Sequence, residues 1–160
     1  MKPVVIAIFA HPDDEAFGPG GTLATFAKTD DVYIITVTGG EAGKNSLSKS
    51  NQTLSNIRKQ ELLNSAKILG VKKVFFLGFK DGTLSNNLYH KIAAKIEKKL
   101  TRLKPNIVIT FEPGGVSGHL DHIATHFITT FVIKKLKKTP ELWYYFVPDT
   151  HRALPSDSLG

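Results

Sequence analysis

Short β-branched runs alternate with longer amphipathic ones along this chain, and that alternation restricts it to a parallel sheet flanked by helices. Strands are expected near Val4 to Ala10, Val32 to Thr38, Lys73 to Leu77, Ile107 to Thr110 and Leu142 to Phe146. Helices are expected between them, over Gly21 to Lys28, Thr53 to Leu69, Leu88 to Leu103 and His122 to Lys137. Gly70 and Pro105 supply stop signals for the second and third helices. The pattern predicts a Rossmann-like three-layer α/β fold with a mainly parallel five-stranded sheet. One domain is expected over 1–146, followed by a short polar tail over 147–160, and Lys44 to Asn51 reads as a mobile loop. Doubly wound in the common order 3-2-1-4-5, such a sheet places the loops after strands one and four side by side at the switch point, where ligands bind.

Those two loops carry the chemistry. The first holds His11-Pro12-Asp13-Asp14-Glu15, an imidazole and three carboxylates directly after the first apolar run. Adjacent carboxylates disfavour one another's charge unless a cation or hydrogen-bond donors compensate. The alternative is that Asp13 or Asp14 caps a helix beginning near Phe17. The second loop follows Ile107 to Phe111 and holds Ser117-Gly118-His119-Leu120-Asp121-His122, with His119 and His122 spaced to share a helix face. Zinc hydrolases commonly use two histidines and one carboxylate and leave a position for water, a set that His11, Asp14 and His122 can supply. A competing pair is His122 with His126, at i and i+4. The HExxH pattern that uses such a pair requires glutamate where this chain has Ile123, and His126 shares its helix with Phe127 and Phe131, which favours packing. His90 and His151 stand alone. Gly39 to Gly43 and Lys80-Asp81-Gly82 bring further polar groups to the same rim.

Composition narrows the rest. With 160 residues and 41% hydrophobic content the chain can bury a full core, and no apolar run approaches a membrane span. Met1-Lys2-Pro3 leads straight into a strand, with no targeting pattern, so the cytoplasm is the expected compartment. The absence of cysteine confines any metal to nitrogen and oxygen ligands. Net charge is +7, but only three of the 21 basic residues are arginine and the lysine clusters fall at helix ends, where cations answer the dipole. Nucleic acid is therefore not expected as a partner. Gly18-Pro19-Gly20-Gly21 faintly resembles a dinucleotide loop, but the acidic pentapeptide stands where phosphate would approach.

Ala10 to Glu15 with Gly20-Gly21-Thr22-Leu23, together with Gly118-His119-Leu120-Asp121-His122, resembles the PIG-L/LmbE family of zinc-dependent N-deacetylases. Thr38 to Gly43, Arg58 to Glu61 leading into Leu69-Gly70-Val71, and Leu77 to Gly82 agree, so the resemblance covers almost all of Val4 to Phe146. It implies that His11, Asp14 and His122 bind zinc, although two histidines and a carboxylate suit Fe²⁺ as well. It implies that Asp13 is the general base, that His119 stabilises the oxyanion or protonates the leaving amine, and that Asp121 orients a histidine. Arg58 and Asp81 match positions the family uses around the sugar, and Glu41 is placed with them in a supporting role. The implied reaction removes an N-acetyl group from an N-acetylglucosamine conjugate, a small glycoside or chito-oligosaccharide, releasing acetate and an amine. Leu120 stands where the family usually has proline, and most members continue for several dozen residues past the polar tail. A metal-dependent amidase on a non-sugar amide and a catalytically silent sugar- or nucleotide-binding module are the competing readings, and homo-oligomerisation is left open.

Overall fold

The computed structural model describes residues 2–43 and 51–148. Most of the expected loop from Lys44, and the tail from 149 onward with His151, lie outside the described residues. In chain order the elements are β1 (Val4–Phe9), α1 (Asp14–Phe17), α2 (Gly20–Phe26), β2 (Asp31–Thr38), α3 (Asn51–Ile68), β3 (Lys73–Phe79), α4 (Tyr89–Leu103), β4 (Ile107–Phe111), α5 (Gly115–Gly118), α6 (Leu120–Lys135) and β5 (Glu141–Tyr145). The five strands are ordered β3-β2-β1-β4-β5, and all four pairings are parallel.

β1 lies at the centre because almost every residue in it is apolar, which suits a strand covered on both faces. Its alternation divides the core in two. Ile6 and Ile8 join Ile35, Val37 and Val108 against Ile92, Ile96 and Leu100 of α4 and Ile128 and Val132 of α6. Val5, Ala7 and Phe9 face the other way, joining Ile34, Ile109 and Phe111 against Leu23 of α2 and Leu62 and Ala66 of α3. On α4 the buried residues recur at i, i+4 and i+8, the stripe of a helix packed on a sheet. Among the described residues no helix is long and apolar enough to cross a membrane.

The first helix differs from expectation. The chain makes a single turn, Asp14–Phe17, breaks at Gly18, and starts again at Gly20. Gly18 is non-helical, with φ −96 and ψ −118, and the site admits glycine, since a Cβ there would lie 2.6 Å from the Asp14 carbonyl oxygen. α6 begins two residues before the expected His122, because the His119 ring caps it by accepting the Asp121 N–H. β3 continues past Leu77 to Phe79, beyond a register shift opposite Thr36 and Thr38.

Candidate active site

The carboxyl ends of β1 and β4 bring the two histidine loops together, and the ends of β2 and β3 close the rim. A cleft of about 340 Å³ forms there, into which His11, Asp13, Asp14, Arg58, His119 and His122 project. Asp13 has φ 117, a left-handed backbone that is uncommon outside glycine. Strain of that kind persists where surrounding structure enforces it, and it clusters at functional sites. Asp13 occupies the N-cap position of α1 but its side chain makes no capping bond, so the capping alternative does not hold. The carboxylate instead pairs with Arg58, Oδ2 to Nη1 at 2.6 Å. Glu15, buried beneath the loop, accepts the Asp13 N–H at 3.0 Å.

His11 has two working faces. Its Nδ1 lies 3.1 Å from His122 Nε2 and 3.7 Å from Asp14 Oδ2, while Asp14 Oδ1 lies 3.2 Å from His122 Nε2. A tetrahedral ion with bonds of about 2.0–2.1 Å holds its donors roughly 3.3 Å apart, a spacing close to that between the two ring nitrogens and from each of them to one oxygen of the Asp14 carboxylate. His122 Nδ1 faces the Gly115 carbonyl at 3.1 Å; donating a proton there leaves the Nε2 lone pair directed at His11. The Phe111 ring stacks on His122 at 4.1 Å and fixes its plane. His11 Nδ1, His122 Nε2 and the Asp14 carboxylate thus converge, with Asp14 Oδ2 also accepting the His11 backbone N–H at 2.8 Å, and a cation that replaced the His11 Nδ1 proton would be held by two imidazole nitrogens and a carboxylate.

The opposite face of His11 meets carboxylates. Nε2 lies 2.9 Å from Asp81 Oδ1 and 3.3 Å from Asp121 Oδ2. Asp121 also accepts the Gly82 and Leu84 N–H groups at 2.8 and 3.1 Å, and Asp81 accepts the Ala42 N–H at 3.0 Å. Burial alone would raise both carboxyls, but hydrogen bonds from His11 and these backbone amides hold them below the usual carboxylate range. For His11, burial opposes the charged ring, yet bonds to Asp121 and Asp81 and the charges of Asp14 and Asp81 push it up to about 10. Burial and the Asp14 charge raise Asp13, with Arg58 acting against them. His11, Asp81 and Asp121 form a second potential ligand group, as do His11, His119 and His122. In the former the carboxylates are already occupied by backbone amides. In the latter, His119 Nδ1 accepts the Asp121 N–H at 3.2 Å, which puts the proton of a neutral ring on Nε2 and makes that nitrogen a donor.

Seven of the nine residues expected at the site, His11, Asp13, Asp14, Arg58, Asp81, His119 and His122, line the cleft. Asp121 lies behind His11. Glu41, expected beside the substrate, is not among the lining residues; its Oε1 accepts the Asp81 N–H at 3.1 Å and ties two loops together. His126 is buried elsewhere, with Nδ1 2.8 Å from the Phe111 carbonyl and its ring against Phe127 and Tyr144. The backbone donors of Gly82 and Leu84 and the Gly115 carbonyl escaped sequence reasoning, since no side-chain pattern marks them.

Residues 6–133 match the family model described as PIG-L, GlcNAc-PI de-N-acetylase. The chain is 37% identical over 129 residues to a probable N-acetyl-α-D-glucosaminyl L-malate deacetylase 2 of Bacillus subtilis, covering 78% of this chain and 58% of that protein. It is 34% identical over 160 residues to a 1D-myo-inositol 2-acetamido-2-deoxy-α-D-glucopyranoside deacetylase of Corynebacterium diphtheriae, covering 86% of this chain and 55% of that one. Among solved structures, the N,N′-diacetylchitobiose deacetylase of Pyrococcus horikoshii superposes with a TM-score of 0.77 at 30% identity, over 83% of this chain and 50% of that one. The chain thus spans little more than half the length of these relatives.

Proposed function

This chain belongs to the PIG-L family of de-N-acetylases, and from that membership and the cleft we propose that it is a zinc-dependent hydrolase removing the N-acetyl group from an N-acetylglucosamine-containing conjugate. The observation that carries the reading is the convergence of His11 Nδ1, His122 Nε2 and the Asp14 carboxylate beside a second, unligated aspartate, Asp13. The three relatives, whose names all specify deacetylation of glucosamine derivatives, support the substrate class. His11, Asp14 and His122 are the proposed ligands. Asp81 and Asp121 accept hydrogen bonds from His11 Nε2–H, which leaves Nδ1 as the nitrogen for the metal, as carboxylates behind ligating histidines commonly do.

An amide carbonyl is a poor electrophile and its amine a poor leaving group. When bound, zinc supplies Lewis-acid polarisation of the carbonyl and lowers the pKa of water towards neutrality. Asp13 takes the proton of the attacking water, and Arg58 holds that carboxylate in place at the mouth of the cleft. His119 presents its Nε2–H to the oxygen that gains charge, and Asp13 hands the proton it took from the water to the departing nitrogen. Collapse yields acetate and the free amine. Arg58 and Asp81, which both line the cleft, are the proposed contacts for the sugar conjugate, and the proposed setting is the cytoplasm.

The test is metal analysis of the purified protein followed by a free-amine assay over malate, inositol and chito-oligosaccharide conjugates of N-acetylglucosamine. Amine release that a chelator abolishes and zinc restores is expected. Bound metal with no amine from any conjugate would overturn the proposal.

A further inference from the structure

At the opposite rim of the sheet, the C-terminal ends of α4 and α6 enclose a cavity of about 520 Å³ with the turns leading into β4 and β5. Its inner wall is apolar, built from Leu100, Pro105 and Leu136. Four lysines, Lys104, Lys135, Lys137 and Lys138, line it together with one acidic residue, Glu97. Lysines at helix ends ordinarily answer the dipole. That role accounts for Arg102, Lys134 and Lys135, which stand in the last turns of α4 and α6. It extends to Lys104, the C-cap of α4, but not to Lys137 and Lys138, which lie past the end of α6. Lys135 approaches Glu97 only to 4.0 Å, and the other three have no ion-pair partner among the described residues. Lys104 is also strained: it caps α4 with φ 50 and ψ 59, a left-handed conformation usually given to glycine.

We propose that this cavity binds a small phosphomonoester carrying a short apolar group. Its volume lies within the range of ordinary small-molecule sites, which pair apolar walls with a few placed polar groups. Three excess positive charges at the mouth favour a dianionic head, and Leu100, Pro105 and Leu136 would take the apolar part out of water. The cavity adjoins the amino ends of β4 and β5 whereas the cleft lies past the carboxyl ends, so the two sites are separated by the length of a strand, about 17 Å.

Calorimetric titration of the full chain with hexyl phosphate, inorganic phosphate and hexanol tests this. Hexyl phosphate should bind once per chain, at least tenfold more tightly than inorganic phosphate, and hexanol should show no saturable binding. Lys104→Gly with Lys137→Gln should weaken hexyl phosphate at least tenfold while leaving amine release in the cleft unchanged. Lys104→Gly relieves the left-handed lysine, so the variant should melt no lower than the parent. Arg58→Ala should leave hexyl phosphate binding intact. Binding that survives the lysine substitutions and is lost with Arg58 would place the anion in the catalytic cleft and overturn the proposal. Equal affinity for inorganic phosphate would reduce it to unspecific attraction. Sedimentation with phosphatidic acid vesicles but no binding of hexyl phosphate would replace it with a membrane surface.

Discussion

Asp13 and Asp14 are neighbours in sequence with different chemistry, because one faces Arg58 and the other faces His122. Asp13→Asn should keep the metal, since the three proposed ligands remain, and should lower kcat by about 10²- to 10⁴-fold, since an amide cannot accept the water's proton. Asp14→Asn should fail at the metal first and recover activity in excess zinc. Paired zinc content and kcat/KM values separate the two, and a metal-free Asp13→Asn protein would end the distinction. Arg58 adds a pH test. Burial and Asp14 raise the Asp13 pKa while Arg58 restrains it, so Arg58→Ala should move the acid limb of kcat/KM to higher pH. A limb that stays put, with only KM changed, would leave Arg58 as a substrate contact alone. That histidines and aspartates from two distant loops share one cleft was readable from sequence, because two loops rich in these residues each follow an apolar run. The division of His11 between a lone-pair face and a carboxylate face was not, because it depends on amides from Gly82 and Leu84 some seventy residues away in the chain.

The element that sets His122 is the short turn α5, and its two glycines have unequal tasks. Gly115 has φ 68, and a Cβ there would lie 2.9 Å from the His122 Cβ and 3.0 Å from the Ile123 N; Gly118 has φ 78 and open space around it. Gly118→Ala should therefore cost only the left-handed penalty, about 1–2 kcal/mol, and keep metal affinity. Gly115→Ala adds overpacking of about 1–3 kcal/mol and should displace His122, weakening metal binding at least tenfold. Thermal melts with zinc titrations of both variants decide this, and equal affinity would show that α5 does not position the ligand. Neither α5 nor α1 was visible in the periodicity, since single turns carry no hydrophobic repeat. The five strands and four of the helices were visible, because buried parallel strands and α4's apolar stripe leave strong signals over many residues, and the strand order is the common one for a doubly wound sheet. The Glu41 contact with the Asp81 N–H was not legible either: a carboxylate in a rim loop looks the same in sequence whether it meets substrate or a backbone N–H.

Across the whole molecule, metal binding and folding should be linked through His11. In the metal-free chain this ring stands at about 10 against 6.5 for a free histidine, so the folded state holds a proton that the unfolded state gives up. A raised value of this kind contributes stability that is complete below the unfolded pKa and is lost as pH rises through the folded one. With a chelator present, the melting temperature should therefore fall between about pH 7 and pH 10. Zinc reverses the sign, because the metal takes the nitrogen the proton occupies and must expel it. Apparent zinc affinity should rise about tenfold per unit between roughly pH 6 and pH 8, with close to one proton released per ion from this group. At a hundred times the dissociation constant the ion should add about 2.7 kcal/mol, raising the melting temperature by roughly 5–10 °C. Calorimetry in two buffers of different ionisation enthalpy counts the proton, and melts with and without chelator give the stability. Zinc uptake without proton release, or affinity that is flat with pH, would mean that His11 meets the ion already neutral and that Asp81 and Asp121 do not keep the ring charged in the folded chain.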